Sequence, residues 1–579
     1  MKTIAIALIL IAATAAAETP KPVEMKWGLK IPLRDGVRLN ATIFQPAAQT
    51  DPLPVVFTLT PYLADSYLDR AMYFSRNGYV FALVDVRGRG NSEGAFEPFA
   101  NEGRDGYDIV EWLARQPWSN GKVAMWGGSY AGFDQWSAAK ERPPHLATIV
   151  PAASAYPGVD FPSFHNIFYS YDIQWATFTS GTAPNAKLFG EAPFWIDRFR
   201  NVYLNHLPFS QLDQSAGNTQ TVFQKWLQHP TPDAYLDAMV PSADQYRALD
   251  IPILTITGHY DGDQAGAFTY YRAHMKYGSP ATTARHFLII GPWDHAGTRT
   301  PKKEVGGLTF GDASLVDLNK LHREWYDWTM KGGSKPEFLK KRVAYYVTAA
   351  DEWKYADSLE AIPTKTRTFY LDSNGSASDA FHSGSLSSTV TTSAPDHWTY
   401  DPLDVRPAEL ETEDVPNGLT DQRGALNLYG EGAVYHSAPL ASDTELTGFV
   451  RFTASVAMDV PDTDFAVTLF EIKPDGSSVQ LTNDVMRARY RGSIREAKLV
   501  APGEINRYVF DGFTFISRRL AKGSRIRLVV GSINTIYLEK NYNSGGVVAQ
   551  ESAQDARTAH ITLYHDAQHP SFLELPISE

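Results

Sequence analysis

The chain has 579 residues, too many for one hydrophobic core, so two or three domains are expected. Apolar residues make up 43% and charged residues 20%, as in an ordinary globular protein, while an aromatic content of 12% favours large cores or a deep aromatic-lined pocket. A net charge of -12 without any extended basic run argues against a nucleic-acid binder; Lys302-Lys303 and Lys340-Lys341-Arg342 read as solvated surface.

Residues 1–17 have the layout of a signal peptide. Lys2 is the charged start, Ile4 to Ala13 the apolar stretch, and Ala15-Ala16-Ala17 the small-residue cleavage site. Cleavage after Ala17 would begin the mature chain at Glu18, and a periplasm or the outside medium is the expected location. Without cysteine the chain has neither disulfides nor a lipid-anchored cysteine, so its cores alone must stabilise it. No later stretch is apolar for the ~18 residues a membrane span needs, so no membrane association is expected after cleavage.

Residues 30–33 and 37–44 alternate in character around Arg34-Asp35-Gly36, which predicts a hairpin. Val55 to Thr60 and Tyr79 to Val86 read as strands buried on both faces, with a helix between them. The loop Arg87-Gly88-Arg89-Gly90-Asn91-Ser92-Glu93-Gly94 has the spacing G-x-G-x-x-x-G and opens no helix, so it is a loop at a strand end and not a dinucleotide site. A helix is predicted over 105–115. Strands follow at 123–126, 147–151, 253–258 and 286–291, and a last helix at 315–331 ends at Gly332-Gly333. Strands alternating with helices predict a mostly parallel sheet covered on both faces.

Residues 156–245 are rich in aromatics, among them Phe161, Phe168, Tyr169, Tyr171, Trp175 and Phe178, and predict an inserted helical cap. From about residue 366 alternation replaces helical periodicity, as in Val450, Phe452, Ala454 and Val456, and turns recur at Asn374-Gly375, Pro474-Asp475-Gly476 and Lys522-Gly523. That predicts an all-β sandwich or jelly roll. The expected division is 18–150 and 249–350 for the α/β part, 151–248 for the cap and 366–579 for the sandwich.

The chemistry centres on Gly127-Gly128-Ser129-Tyr130-Ala131-Gly132, where an apolar run ends in glycines and a serine before a helix-compatible stretch. Strand, sharp turn and helix are the parts of a nucleophile elbow, G-x-S-x-G, although Ala131 holds its last place and Gly132 comes one later. A serine hydroxyl needs a base, and the base an orienting acid. In such sheets these follow as acid and then histidine, on loops after later strands. Asp261 follows the strand at 253–258 and His295 the strand at 286–291. Asp263 and Asp294 are rival acids. His259 is a rival base that precedes the acid, and His286 one that starts its strand at the wrong end. The Tyr130 backbone N–H would be one oxyanion donor. The other should come from Thr60-Pro61-Tyr62, where Tyr62 offers a phenol that ordinarily reads as packing.

With these residues placed, the chain resembles the family that holds bacterial cocaine esterase, the α-amino-acid ester hydrolases, glutaryl-cephalosporin acylases and X-Pro dipeptidyl-peptidases. The matching pieces are Pro61-Tyr62, Asp85-Val86-Arg87-Gly88 with Ser92-Glu93-Gly94, the elbow, Tyr260-Asp261-Gly262, Gly291-Pro292-Trp293-Asp294-His295, Pro474-Asp475-Gly476 and Arg487 to Arg491. The resemblance implies an α/β-hydrolase fold with a helical cap and a C-terminal jelly roll. It implies Ser129 as nucleophile, His295 as base, Asp261 as acid and the Tyr62 O–H as oxyanion donor. The α-amino-acid ester hydrolases bind a substrate ammonium through three carboxylates. Asp263 matches one, Gln264 stands where the second is acidic, and Asp160 lies near the third. The implied activity is hydrolysis of an ester, amide or short-peptide bond through an acyl-enzyme, with a dipeptidyl-peptidase or an acylase as the alternatives. No metal motif is present and the chemistry needs no cofactor. A non-catalytic carbohydrate-binding protein is the reading from a different class, and homo-oligomerisation stays open.

Overall fold

The computed structural model describes residues 21–411 and 418–578. The targeting segment expected over residues 1–17 lies outside the described residues. The first domain is built on a ten-stranded sheet. β1 (Val23–Pro32) and β2 (Arg38–Pro46) form the predicted hairpin, and β2 pairs antiparallel with β4 (Val80–Asp85). From β4 the sheet runs parallel through β3 (Leu53–Thr60), β5 (Ser119–Gly128) and β6 (Leu146–Ala152).

The strands bury both faces because their alternate residues feed two cores. Val55, Phe57, Val123 and Met125 enter a core that also holds residues of the helices Glu102–Ala114 and Tyr130–Lys140 and of the cap. Val56, Ala124 and Trp126 enter another, with residues of the helices Leu68–Arg76 and Leu318–Lys331. This two-faced cover is why the strands read as apolar runs rather than alternating ones.

The cap between β6 and the rest of the sheet has a short hairpin, β7 (Ser163–Phe164) with β8 (Ile167–Phe168), and short helices from Tyr171–Phe178 to Ala243–Ala248. The sheet then resumes with β9 (Ile253–Tyr260) and β10 (His286–Asp294). A small hairpin follows, β11 (Glu304–Val305) with β12 (Leu308–Thr309). The last helix starts at Leu318, three residues later than its periodicity predicts, because the Asp317 carboxylate caps the Lys320 N–H at 2.9 Å. It ends where Gly332 turns left-handed at φ 73°. Two strands that the sequence reading did not place extend the sheet. β13 (Val343–Val347) lies parallel to β10, and β14 (Glu352–Ala356) antiparallel to β13. The sheet thus runs to Ala356, past the expected division at 350.

The C-terminal domain is a β-sandwich whose first strand, Thr364–Asp372, pairs with its last, Phe572–Ser578. Val450, Phe452, Ala454 and Val456 lie in its core, as their alternation predicts. The cap leans on this domain. Glu539 N–H donates to the Phe168 carbonyl at 3.0 Å and Ser170 N–H to the Tyr537 carbonyl at 2.9 Å. Beneath this contact Arg487, buried, pairs with Asp464 and Glu539, both at 2.9 Å, and reaches the Asn166 carbonyl at 3.2 Å.

Candidate active site

Ser129 stands where β5 meets the helix Tyr130–Lys140, with φ 63° and ψ -126°. A non-glycine residue there carries about 1–3 kcal/mol of strain, so the surroundings must impose it. Its N–H donates to the Ala152 carbonyl at 3.0 Å. A Cβ at Gly127 would come within 2.6 Å of the Ala131 methyl carbon, and one at Gly132 within 2.7 Å of the Ala152 carbonyl oxygen. The glycine after the serine is therefore displaced by one place for a packing reason. Ala131 faces Gly127, and it is Gly132 that lies against β6.

His295 Nδ1 lies 2.8 Å from Asp261 Oδ1. Asp261 is buried. Its Oδ2 accepts from the Thr257 hydroxyl at 2.9 Å, and its Oδ1 also accepts the Asp263 N–H at 3.1 Å. The imidazole is thus held by a carboxylate that is itself fixed from β9, leaving Nε2 for the cavity. Burial disfavours the His295 cation, but the Asp263 and Asp261 carboxylates outweigh it and hold its pKa above the ordinary 6.5.

The rivals lie elsewhere. His259 packs on Phe515, donates from Nε2 to the Tyr346 carbonyl at 2.7 Å, and is pushed down to about 4 by burial. His286 sits between Thr255 and His274 in the core, its pKa well below the ordinary value through burial. Asp294 accepts the Gly297 N–H at 2.7 Å and so shapes the loop that carries His295.

Ser129 and His295 line one cavity of about 390 Å³, together with Tyr62, Tyr130, Trp175, Tyr169, Asp160 and Asp263. The Tyr130 N–H is the first of its helix, a position without an intrahelical acceptor. Its phenol is committed away from the cavity, donating to Glu102 Oε1 and accepting the Phe99 N–H, each at 2.6 Å. Tyr62 shares the cavity wall with Ser129, and its oxygen accepts the Trp175 indole N–H at 2.9 Å. Burial pushes the Tyr62 phenol well above its ordinary pKa, so it stays a neutral donor.

The acidic positions divide. Asp263 faces the cavity, its Oδ2 3.8 Å from His295 Nδ1, and its pKa is raised well above the usual range by burial and, beyond that, by Asp160 and Asp261. Asp160 also borders the cavity, but its oxygens accept the N–H groups of Tyr156 at 2.7 Å and Gly266 at 2.5 Å. Burial pushes Asp160 up to about 7. Gln264 is turned away, into the contact with the sandwich domain.

Three residues escaped the sequence reading in their site roles. Trp175 was one aromatic among many in the cap. Arg89 lies in a segment whose sequence predicts only a loop at a strand end. Fully buried, it donates to the Pro61 carbonyl at 2.8 Å and the Ser180 carbonyl at 2.9 Å, tying the Tyr62 turn to the cap. Arg299 lies so close to the elbow that a Cβ on Gly128 would fall 2.3 Å from its Nη1. No spacing rule marks any of them, because each acts across the fold.

The model of the X-Pro dipeptidyl-peptidase (S15 family) matches residues 35–297, and that of the X-Pro dipeptidyl-peptidase C-terminal non-catalytic domain matches residues 326–574. The chain belongs to the S15 family of serine hydrolases. Among curated relatives of this family, the cocaine esterase of Rhodococcus sp. is 27% identical over 572 residues, covering 94% of this chain and 97% of that protein. A putative serine esterase of Mycobacterium bovis is 24% identical, covering 94% of each. Two solved structures share the fold. An aminopeptidase from a Thaumarchaeota archaeon superposes with a TM-score of 0.83 at 22% identity, covering 98% of this chain and 99% of that one. An α-amino acid ester hydrolase superposes with a TM-score of 0.82 at 21% identity, with the same coverage. Tyr62, Ser129, Asp261 and His295 all fall inside the S15 match. The C-terminal family match begins within the helix Leu318–Lys331, earlier than the first sandwich strand at Thr364.

Proposed function

We propose that this S15-family protein is an exported acyl hydrolase that cleaves ester or amide bonds through an acyl-enzyme on Ser129. His295 Nε2 takes the Ser129 proton as Oγ bonds to the substrate carbonyl carbon. The carbonyl electrons move onto oxygen, where the Tyr130 N–H and the Tyr62 O–H receive the charge. The C–O or C–N bond then breaks, and His295 returns the proton to the leaving group. A water activated by the same imidazole hydrolyses the ester on Ser129. The observation that carries this reading is the 2.8 Å contact of His295 with the buried Asp261, in the wall of the cavity that holds Ser129. The aromatic lining fits small-molecule acyl groups or a short peptide end.

The test is labelling by a fluorophosphonate together with a substrate panel. Wild-type protein should be labelled one-to-one and Ser129→Ala not at all, with turnover of p-nitrophenyl acyl esters lost. Stoichiometric labelling of Ser129→Ala would refute the assignment. A second reading, that the acyl group carries a free amine, is favoured by Asp263. This carboxylate faces the cavity with its charge disfavoured, and an incoming ammonium would relieve that. Phenylglycine methyl ester and Gly-Pro-p-nitroanilide in the panel separate amino-ester and dipeptidyl activity from simple acyl esters.

A further inference from the structure

We propose that Trp175 is a positioning residue for the oxyanion hole: its indole N–H fixes the Tyr62 hydroxyl as a donor aimed at Ser129. The proposal rests on the reading of Tyr62 as an oxyanion donor.

A phenolic hydroxyl is a rotor that both donates and accepts. An indole N–H only donates. With Trp175 Nε1 at 2.9 Å, the Tyr62 oxygen must accept from it, so the phenolic proton takes the other in-plane direction. Ser129 and Tyr62 line the same cavity. The hydrogen bond received also polarises the O–H and makes it a better donor.

Both partners are held rigidly. The Trp175 ring is buried at 4% exposure and stacks on Tyr130 at 5.8 Å and 19°, with Phe161 edge-on at 5.3 Å. The Tyr62 ring stacks on Phe178 at 5.6 Å and 22°. Arg89 donates to both the Pro61 carbonyl and the Ser180 carbonyl in the cap. The cap therefore contributes to the catalytic geometry and does more than enclose substrate.

The experiment is a double-mutant cycle on p-nitrophenyl acetate, with kcat and KM read separately. Trp175→Phe keeps an aromatic ring and removes the N–H. In the presence of Tyr62 it should lower kcat about tenfold, less than the 10²–10³ for losing an oxyanion donor outright. In the Tyr62→Phe background it should change kcat less than twofold. Equal losses in both backgrounds would assign Trp175 to packing alone and overturn the proposal. An unchanged kcat for Trp175→Phe, with Tyr62→Phe strongly impaired, would also overturn it. An unchanged kcat for Tyr62→Phe would overturn the underlying reading and this proposal with it. Should Trp175→Phe fold poorly, 3-benzothienylalanine at position 175, with sulfur in place of N–H at nearly the same volume, carries the same expectations.

Discussion

Gln264 gives both halves of its side-chain amide to Phe515: its Oε1 accepts the Phe515 N–H at 2.7 Å, and its Nε2 lies 3.3 Å from the Phe515 carbonyl. The same Nε2 donates to the Gly258 carbonyl at 2.9 Å, three residues before Asp261. One buried amide thus ties the loop of the acid to the sandwich domain. A carboxylate could accept from Phe515 but would face two carbonyl oxygens with nothing to donate. Gln264→Glu should destabilise the protein by about 2–4 kcal/mol, the range for a buried polar group left without partners, read as a lower urea midpoint. An unchanged midpoint would contradict the role.

Tyr62→Phe keeps the ring stacked on Phe178 and removes only the hydroxyl. It should lower kcat by about 10²–10³ with little change in KM, since the donor acts on charge that develops in the transition state. Steady-state kinetics on p-nitrophenyl esters decide it. A normal kcat would make Tyr62 a packing residue.

On the proposed reading His295 must be neutral to take a proton, and its pKa lies above 6.5 because Asp263 and Asp261 outweigh the burial that disfavours its charge. Activity should therefore fall as pH drops through a value above 6.5. Asp263→Asn removes one of the two carboxylates, so the acid limb of kcat/KM should move to lower pH. A limb that stays in place would show that Asp261 alone sets it.

The same Asp263→Asn variant tests the amine reading. Hydrolysis of phenylglycine methyl ester should suffer at least tenfold more than that of acetyl esters, the scale of one lost charge-assisted contact. Equal effects on both substrates would remove Asp263 from recognition.

Asp160 differs from Asp263 because its oxygens are engaged by the Tyr156 and Gly266 N–H groups. Asp160→Asn replaces one acceptor with a donor against a backbone donor. It should lower the melting temperature and reduce turnover of all substrates alike. Selective loss of amino esters would instead give Asp160 a place in recognition.

The α/β pattern was legible because each central strand is buried on both faces and therefore reads as an apolar run. That Ser129, Asp261 and His295 come together was legible because the fold fixes both their order and the strand ends they follow. β13 and β14 were not, since each is only five residues long and the two form a short hairpin after the helix Leu318–Lys331. Trp175 and Arg89 were not, because their partners lie 113 and 28 positions away in the chain. The acidic pair near the cavity could be named but not sorted: only backbone geometry distinguishes Asp160, occupied by amides, from Asp263.

Tyr169 faces the cavity, yet its neighbours Phe168 and Ser170 are hydrogen-bonded to residues 536–539 near the end of the chain. Synthesis delivers the serine, the acid and the histidine long before it delivers that support. On the proposed reading, a nascent or truncated chain ending at the sheet would thus own every reacting group and lack a finished substrate wall. On that reading, the wall of the pocket at Tyr169 would be complete only once the last part of the chain is in place, and substitutions there would act on substrate fit and not on the reacting groups.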